Sequence, residues 1–359
     1  AHCLPRIYSF PDVKADTWLH YHGEFVKAYS VVAPSQKCVD EIYDSLILME
    51  DAGTLGSIMK FHVSDETRDY LKTLVAKHDT SPRIITEISV SPGQAYLAPE
   101  EPKDMQYAET FAPVIDAFRI ILALTDKYSA ICMNPPYMAT NKESRLKNYA
   151  VKNYPDSKSN LFAVFMDVAI DRLSERGKYG MINMQSWMFL SSYENLRKRI
   201  LDIQQIDSFL HLGPRTFDEL SGEVVQNAAF VISNEEPSHS GIYYRLIDGQ
   251  SCETKKDMFL RGDNRYTVSY QKQFESIPGE VIGYWISSDI CNLFEHANFD
   301  SAYYILQGMI PGNVPEFVRL WHEVASNRIG FNHYSSAEIS EKGFKWFPYN
   351  KGGGFRKWY

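Results

Sequence analysis

Apolar positions recur every three or four residues through Val39–Met49, Tyr70–Val75 and Phe111–Leu124, a spacing that predicts helices over most of residues 1–125. Pro82, Pro92, Pro99 and Pro102, with three acidic residues from Glu100 to Asp104, predict a loop-rich connection among them. The texture then changes. Lys127–Met133 is a short, largely apolar run that stops at Asn134-Pro135-Pro136, the pattern of a buried strand ending in a rigid turn.

Ser159–Arg176 places Leu161, Phe162, Phe165, Val168, Ala169 and Leu173 on one helical face, with Ser159 as the expected N-cap and Gly177 as the stop. Tyr179–Met184 reads as a strand, Tyr193–Leu201 as a helix, and Ile206–Leu212, Ala228–Ser233 and Ile242–Leu246 as strands. Strands alternating with helices of this length imply an α/β region with a largely parallel sheet and a hairpin-like addition at its end. Beyond Arg261 the sequence becomes aromatic-rich and punctuated by Gly and Pro, as expected of a separate module or a long extension. The expected organisation is a helical part at 1–125, an α/β core at 126–260 and an extension at 261–359.

No run of about eighteen apolar residues suitable for a membrane helix is present, and the first ten residues do not read as a secretion signal, so a cytoplasmic location is expected. Cys3, Cys38, Cys132, Cys252 and Cys291 are scattered without metal-ligand spacing; buried free thiols and no metal are the expectation. A formal net charge of −8 opposes nucleic-acid binding overall, yet Lys142–Lys158, Lys255–Lys272 and Lys342–Lys357 are locally basic. Lys142, Arg145, Lys147, Lys345, Lys351, Arg356 and Lys357 are the candidates for contact with a nucleic-acid backbone, against the alternative of ordinary solvated faces. The Lys351-Gly352-Gly353-Gly354 run lacks the spacing of a nucleotide-binding loop and reads either as a loop touching DNA or as a plain turn.

The chemistry concentrates at Asn134-Pro135-Pro136-Tyr137. A strand in an open α/β sheet delivers its last residues to the ligand-binding edge. There the side-chain oxygen of Asn134 and the main-chain carbonyl of Pro135 can accept from an exocyclic amine and draw its lone pair toward an electrophilic methyl donor. The two prolines hold that carbonyl in place. A base treated this way has to leave its duplex and be held by stacking, which Tyr137 can provide. The alternative is a polar turn with a half-buried tyrosine.

Asn134-Pro135-Pro136-Tyr137 resembles the catalytic motif of the N6-adenine DNA methyltransferases. Asn160-Leu161-Phe162, the Gly177–Ile182 segment and Ser186-Trp187 are similar to that family's following helix, strand and polar-aromatic pair. Leu212–Phe217 is similar to the segment whose terminal phenylalanine lines the flipped-base pocket, which makes Phe217 a second base-binding candidate alongside a plain core role. Tyr284–Ser287 with Lys345–Gly354 looks like the methyltransferases of BREX phage-defence systems. The resemblance covers roughly residues 125–359 and implies a partial Rossmann-like, S-adenosylmethionine-dependent core followed by the start of a target-recognition module. It also implies S-adenosylmethionine as cofactor, with Asn134 touching it, double-stranded DNA as substrate and other phage-defence proteins as partners.

One departure stands out. The family's Gly-rich cofactor turn has no counterpart between Ala1 and Met133, so a fragment of a longer polypeptide is expected, one that binds cofactor weakly alone and offers an unpaired sheet edge. The rival expectation is a non-catalytic DNA-binding subunit of a phage-defence complex that keeps the base pocket. A lesser one is an RNA or protein-glutamine methyltransferase.

Overall fold

The computed structural model describes residues 31–80, 103–217, 225–294, 310–333 and 344–350, with Ala15, Trp18 and Glu338; at 80, 103–111 and 288 it describes backbone alone. Two compact units divide at 296/297.

The first unit begins with helices α1 (Gln36–Met49), α2 (Asp65–Thr80) and α3 (Lys103–Thr125). Ser35 caps α1 by accepting from the Cys38 amide at 3.4 Å. α3 starts at Lys103, inside the stretch expected to be loop, and carries Pro113 past its first turns. Pro82, Pro92 and Pro99 lie outside the described residues. Strand β1 (Tyr128–Met133) follows, then α4 (Ser144–Asn153), α5 (Leu161–Arg172), β2 (Leu173–Met184), α6 (Glu194–Ile203), β3 (Gln205–Gly213), β4 (Asn227–Ser233), β5 (Gly241–Arg245), α7 (Cys252–Arg261) and β6 (Arg265–Val268).

The sheet runs β1-β2-β4-β3-β5-β6. β1 is parallel to β2 and β3 to β5, whereas β4 inserts antiparallel between β2 and β3. The expected hairpin-like addition is therefore built into the sheet's middle, and a further antiparallel pair, β5 with β6, lies at one end. Because β4 reverses between them, β1, β2 and β3 run in one direction. Their C-terminal ends and the start of β4 share one edge.

Two expectations are corrected here. The α5 N-cap is Asn160, whose side chain accepts from the Phe162 amide at 3.3 Å, and the helix ends at Arg172 with no glycine stop. Gly177 instead lies in β2, where a Cβ would stand 2.9 Å from the Tyr128 carbonyl oxygen, so the close passage of β1 demands glycine. Strand β1 is also not buried on both faces. It is an edge strand with Ser129, Ala130 and Cys132 exposed, and among the described residues it has a neighbour on one side only.

α5 is apolar nearly all round because it lies between two cores. Leu161, Val164 and Val168 pack with α1–α3, while Phe162, Ala163, Met166 and Ala169 pack with the sheet residues Tyr179, Met181, Phe209 and Phe230. Polar ties reinforce the junction: Arg172 donates to the carbonyls of Ser57 at 2.8 Å and Met59 at 3.2 Å, and Lys60 pairs with Asp171 at 2.6 Å. No described helix is long and apolar enough to cross a membrane.

The second unit is described at 310–333, Glu338 and 344–350. There Ile329 forms a parallel bridge with Trp346, over whose ring the Arg319 guanidinium sits at 5.5 Å.

Candidate active site

Asn134–Tyr137 leave β1 at the shared sheet edge as the sequence suggests: Asn134 and Pro136 are exposed, Pro135 is buried and Tyr137 is half-buried. The chain then loops out through α4 and returns alongside itself. The Leu161 amide donates to the Met138 carbonyl at 2.9 Å, the Thr140 amide to the Ser159 carbonyl at 3.3 Å, and Ala139 bridges Asn160. That closure sets the N-terminus of α5 beside the tip and brings Phe162 edge-on to Tyr137, with ring centroids 6.5 Å apart at 89°.

The Tyr137 hydroxyl crosses the end of β2. It lies 3.3 Å from the Ile182 carbonyl oxygen and 3.4 Å from Asn134 Oδ1, and accepts from Asn227 Nδ2 at 2.9 Å. Burial pushes the phenol pKa above its ordinary value, with the Asn227 hydrogen bond acting against that rise. Polar groups continue along the edge. Gln185 Nε2 donates to Gln226 Oε1 at 2.5 Å, His211 Nε2 donates to Gln185 Oε1 at 2.8 Å, and the Tyr284 hydroxyl donates to His211 Nδ1 at 3.0 Å. Burial, with the positive charges of Arg245 and Lys255 added, lowers the His211 pKa to about 4, so its ring is neutral at pH 7. Phe189 and Trp285 lie 6.1 and 5.9 Å from the His211 ring, and Trp285 is 37% exposed.

Beside Asn134 opens a groove of about 410 Å³ on the sheet face away from α5, lined by Cys132, Gly180, Ile182, Leu210 and Ala229 among others, none of them acidic. Among the described residues the lining has no carboxylate for a ribose and no glycine-rich turn, so it does not by itself build a cradle for an adenosyl cofactor. Asn134 lies on the lining of this groove.

The remaining candidates are scattered. Phe217 sits in the segment after β3 and is 37% exposed, against a plain core role. Lys142, Arg145 and Lys147 are exposed on the loop and helix after the tip, with Arg145 paired to Asp51. Lys345 is exposed in the second unit, its ammonium 5.8 Å from the Trp346 ring, and Lys351, Arg356 and Lys357 lie outside the described residues. Of the Lys255–Lys272 stretch, Lys255 is spoken for: its buried ammonium donates to the carbonyls of Leu212 at 2.7 Å and Leu246 at 3.0 Å. Cys38 and Cys291 are buried as expected, but Cys132 and Cys252 are exposed. Asp207, Glu235 and His239 bring ligand atoms within 4.8 Å of one another, but Lys178 and Ser233 already engage Asp207 at 2.8 and 2.6 Å.

Sequence reasoning missed Asn183, Gln185, His211, Gln226 and Asn227. The available signal was an amide or imidazole in otherwise apolar strands, as in Met181-Ile182-Asn183-Met184 and Gln226-Asn227-Ala228-Ala229, where a buried polar side chain requires a partner.

Residues 48–217 match the Eco57I restriction-modification methylase family. Over 250 residues the chain is 40% identical to the adenine-specific methyltransferase PglX of Lacticaseibacillus casei (strain Zhang). The chain is homologous to the adenine-specific methyltransferases. It is likewise 36% identical over 320 residues to the adenine-specific methyltransferase BrxX of Escherichia coli O9:H4 (strain HS). These matches span 67% and 88% of this methyltransferase relative but only 20% and 24% of the two proteins' own lengths. Among solved structures, the DrdV–DNA complex is 17% identical with a TM-score of 0.33, covering 44% of this chain and 18% of that one. A component of a type I restriction-modification system is 13% identical with a TM-score of 0.36, covering 79% and 81%.

Proposed function

We propose that this chain forms the base-holding part of a DNA methyltransferase that moves a methyl group from S-adenosylmethionine to the N6 of adenine, in phage defence or restriction-modification. The observation that carries the reading is the position of Asn134–Tyr137: a proline-stiffened tip at the C-terminal sheet edge, with Asn134 exposed and the Tyr137 ring clamped beside it. The PglX and BrxX likenesses support the same substrate.

S-adenosylmethionine supplies an electrophilic methyl group on its sulfonium; this chain's residues act on the acceptor. Asn134 Oδ1 and the Pro135 carbonyl accept from the adenine amine, so its lone pair points away from the protein and its nucleophilicity rises before the proton leaves. An extruded adenine lies on Tyr137 and is steadied by Phe217. Lys142, Arg145 and Lys147 neutralise phosphates next to the tip, and Lys345, Lys351, Arg356 and Lys357 do so from the extension.

The test is tritiated-methyl transfer to DNA by the full-length protein containing this sequence, followed by nucleoside analysis. Label in N6-methyladenine supports the reading. A protein that binds DNA but never cofactor is a non-catalytic subunit instead.

A further inference from the structure

We propose that Asn227 is a positioning residue for this reaction: its buried side-chain amide holds the Tyr137 hydroxyl and so fixes both the stacking ring and the acceptor end of Asn134. The inference rests on the reading of Asn134–Tyr137 given above.

Asn227 opens β4, opposite Met184 on one side and Gly213 on the other, and is wholly buried. Its neighbours Ala228, Ala229 and Phe230 are apolar, and an amide in such a place is costly unless its groups are matched. Only one end is matched. Nδ2 reaches the Tyr137 hydroxyl at 2.9 Å and the Asn183 carbonyl at 3.3 Å, while Oδ1 is buried without a hydrogen-bond partner. The donor end is therefore the part the fold uses.

The direction of that hydrogen bond matters. A phenol carries one proton. With Asn227 donating to the Tyr137 oxygen, the proton is committed to the opposite side, where the acceptors are the Ile182 carbonyl at 3.3 Å and Asn134 Oδ1 at 3.4 Å. An amide oxygen and an amide nitrogen are nearly equal in size, so packing alone leaves the orientation of Asn134 undecided. Shared between the Ile182 carbonyl and Asn134, that one proton favours the oxygen of Asn134 on this side, the end that has to accept from the adenine amine. The ring is fixed by the same contact: held at its hydroxyl by Asn227 and along its edge by Phe162, it keeps one plane, and a base stacks on it without an ordering cost.

The experiment is a double-mutant cycle in the full-length protein, over Asn227→Asp and Tyr137→Phe. Aspartate keeps the shape of asparagine but replaces the donor with an acceptor. Asn227→Ser, which is too short to reach the phenol, serves if the aspartate variant does not fold. Two readouts are taken: kcat and KM for DNA methylation, and the fluorine NMR line of a single 3-fluorotyrosine at position 137.

The expected result is a kcat roughly tenfold lower in Asn227→Asp with KM for DNA nearly unchanged, as suits one lost hydrogen bond. Little further loss is expected when Tyr137 is already Phe, and the fluorine line should shift. An unchanged fluorine line, or a kcat loss that is as large in the Tyr137→Phe background, overturns the inference. A wild-type protein that transfers no methyl group overturns the functional reading instead, and the fluorine line then decides on its own whether Asn227 holds Tyr137.

Discussion

The hydroxyl of Tyr137 lies 3.3 Å from the carbonyl oxygen of Ile182, so the turn leaving β1 is pinned across the end of the neighbouring strand. Since Ile182 and Tyr137 are 45 residues apart, the position of the tip is set by the parallel pairing of β1 and β2 as well as by its two prolines. A site held from both directions is preorganised.

On the proposed function, replacing Asn134 with Ala removes one of the two acceptors for the amine. In the full-length protein kcat for adenine methylation should fall about 10²–10³-fold, the scale for deleting one preorganised polar group at a reacting centre. DNA affinity, measured by equilibrium binding, should be nearly unchanged. A parallel loss of affinity would place Asn134 in binding rather than chemistry.

Tyr137→Ala should weaken retention of the extruded base by about 1–3 kcal/mol, the usual worth of a stacked aromatic, whereas Tyr137→Phe keeps the ring. The fluorescence of 2-aminopurine at the target position measures this directly. The alanine variant should lose most of the enhancement on binding and the phenylalanine variant most should keep. Equal signals in the two would remove stacking as the role of the ring.

His211 sets an acid limit on stability. Its pKa falls from 6.5 in the unfolded chain to about 4 in the fold because burial, with Arg245 and Lys255 nearby, disfavours the imidazolium. The unfolded chain therefore binds the extra proton first, and stability falls as pH drops from about 6.5 toward 4. Wild type should lose on the order of 2–3 kcal/mol more than His211→Gln between pH 7 and about pH 4.5 in urea titrations. Identical pH slopes would mean that the imidazole charges in place.

Arg197 is wholly buried and donates to the carbonyls of Trp187 at 2.8 Å, Leu190 at 2.7 Å and Gly279 at 2.5 Å. Arg197→Met fills similar space but leaves those carbonyls unmatched, and should cost about 3 kcal/mol in denaturant unfolding. A loss under about 1 kcal/mol would show that the carbonyls find other partners.

The exposed side of β1 should make this 359-residue chain self-associate. A lysine at Ala130, an exposed position on the edge strand, should lower the light-scattering mass without moving the unfolding midpoint, because charge on an edge blocks strand addition. A wild-type chain that stays monomeric at high concentration would contradict this.

Much of this fold is legible in the residues because its signals are local. The run into Asn134-Pro135 marks both strand and turn, and the apolar spacing of α1, α2, α5 and α6 marks those helices. What stays hidden depends on partners far away in sequence. Leu173 reads as a continuation of α5, but it pairs with Tyr128 in the sheet, and that pairing ends the helix. The run through β1 looks buried because apolar content does not reveal whether a neighbouring strand is present. Asn227 meets Tyr137 across 90 positions, and His211 meets Tyr284 across 73, so no periodicity could have joined them. The basic stretch around Lys255 shows the converse: local charge said nothing of two carbonyls waiting in the interior.

The most direct test of the central claim is methyl transfer from labelled S-adenosylmethionine to DNA by the full-length protein, wild type beside Asn134→Ala, with the product nucleosides separated. The account predicts label in N6-methyladenine from the wild type and almost none from the variant. Label on cytosine, or equal label on adenine from both proteins, would contradict it.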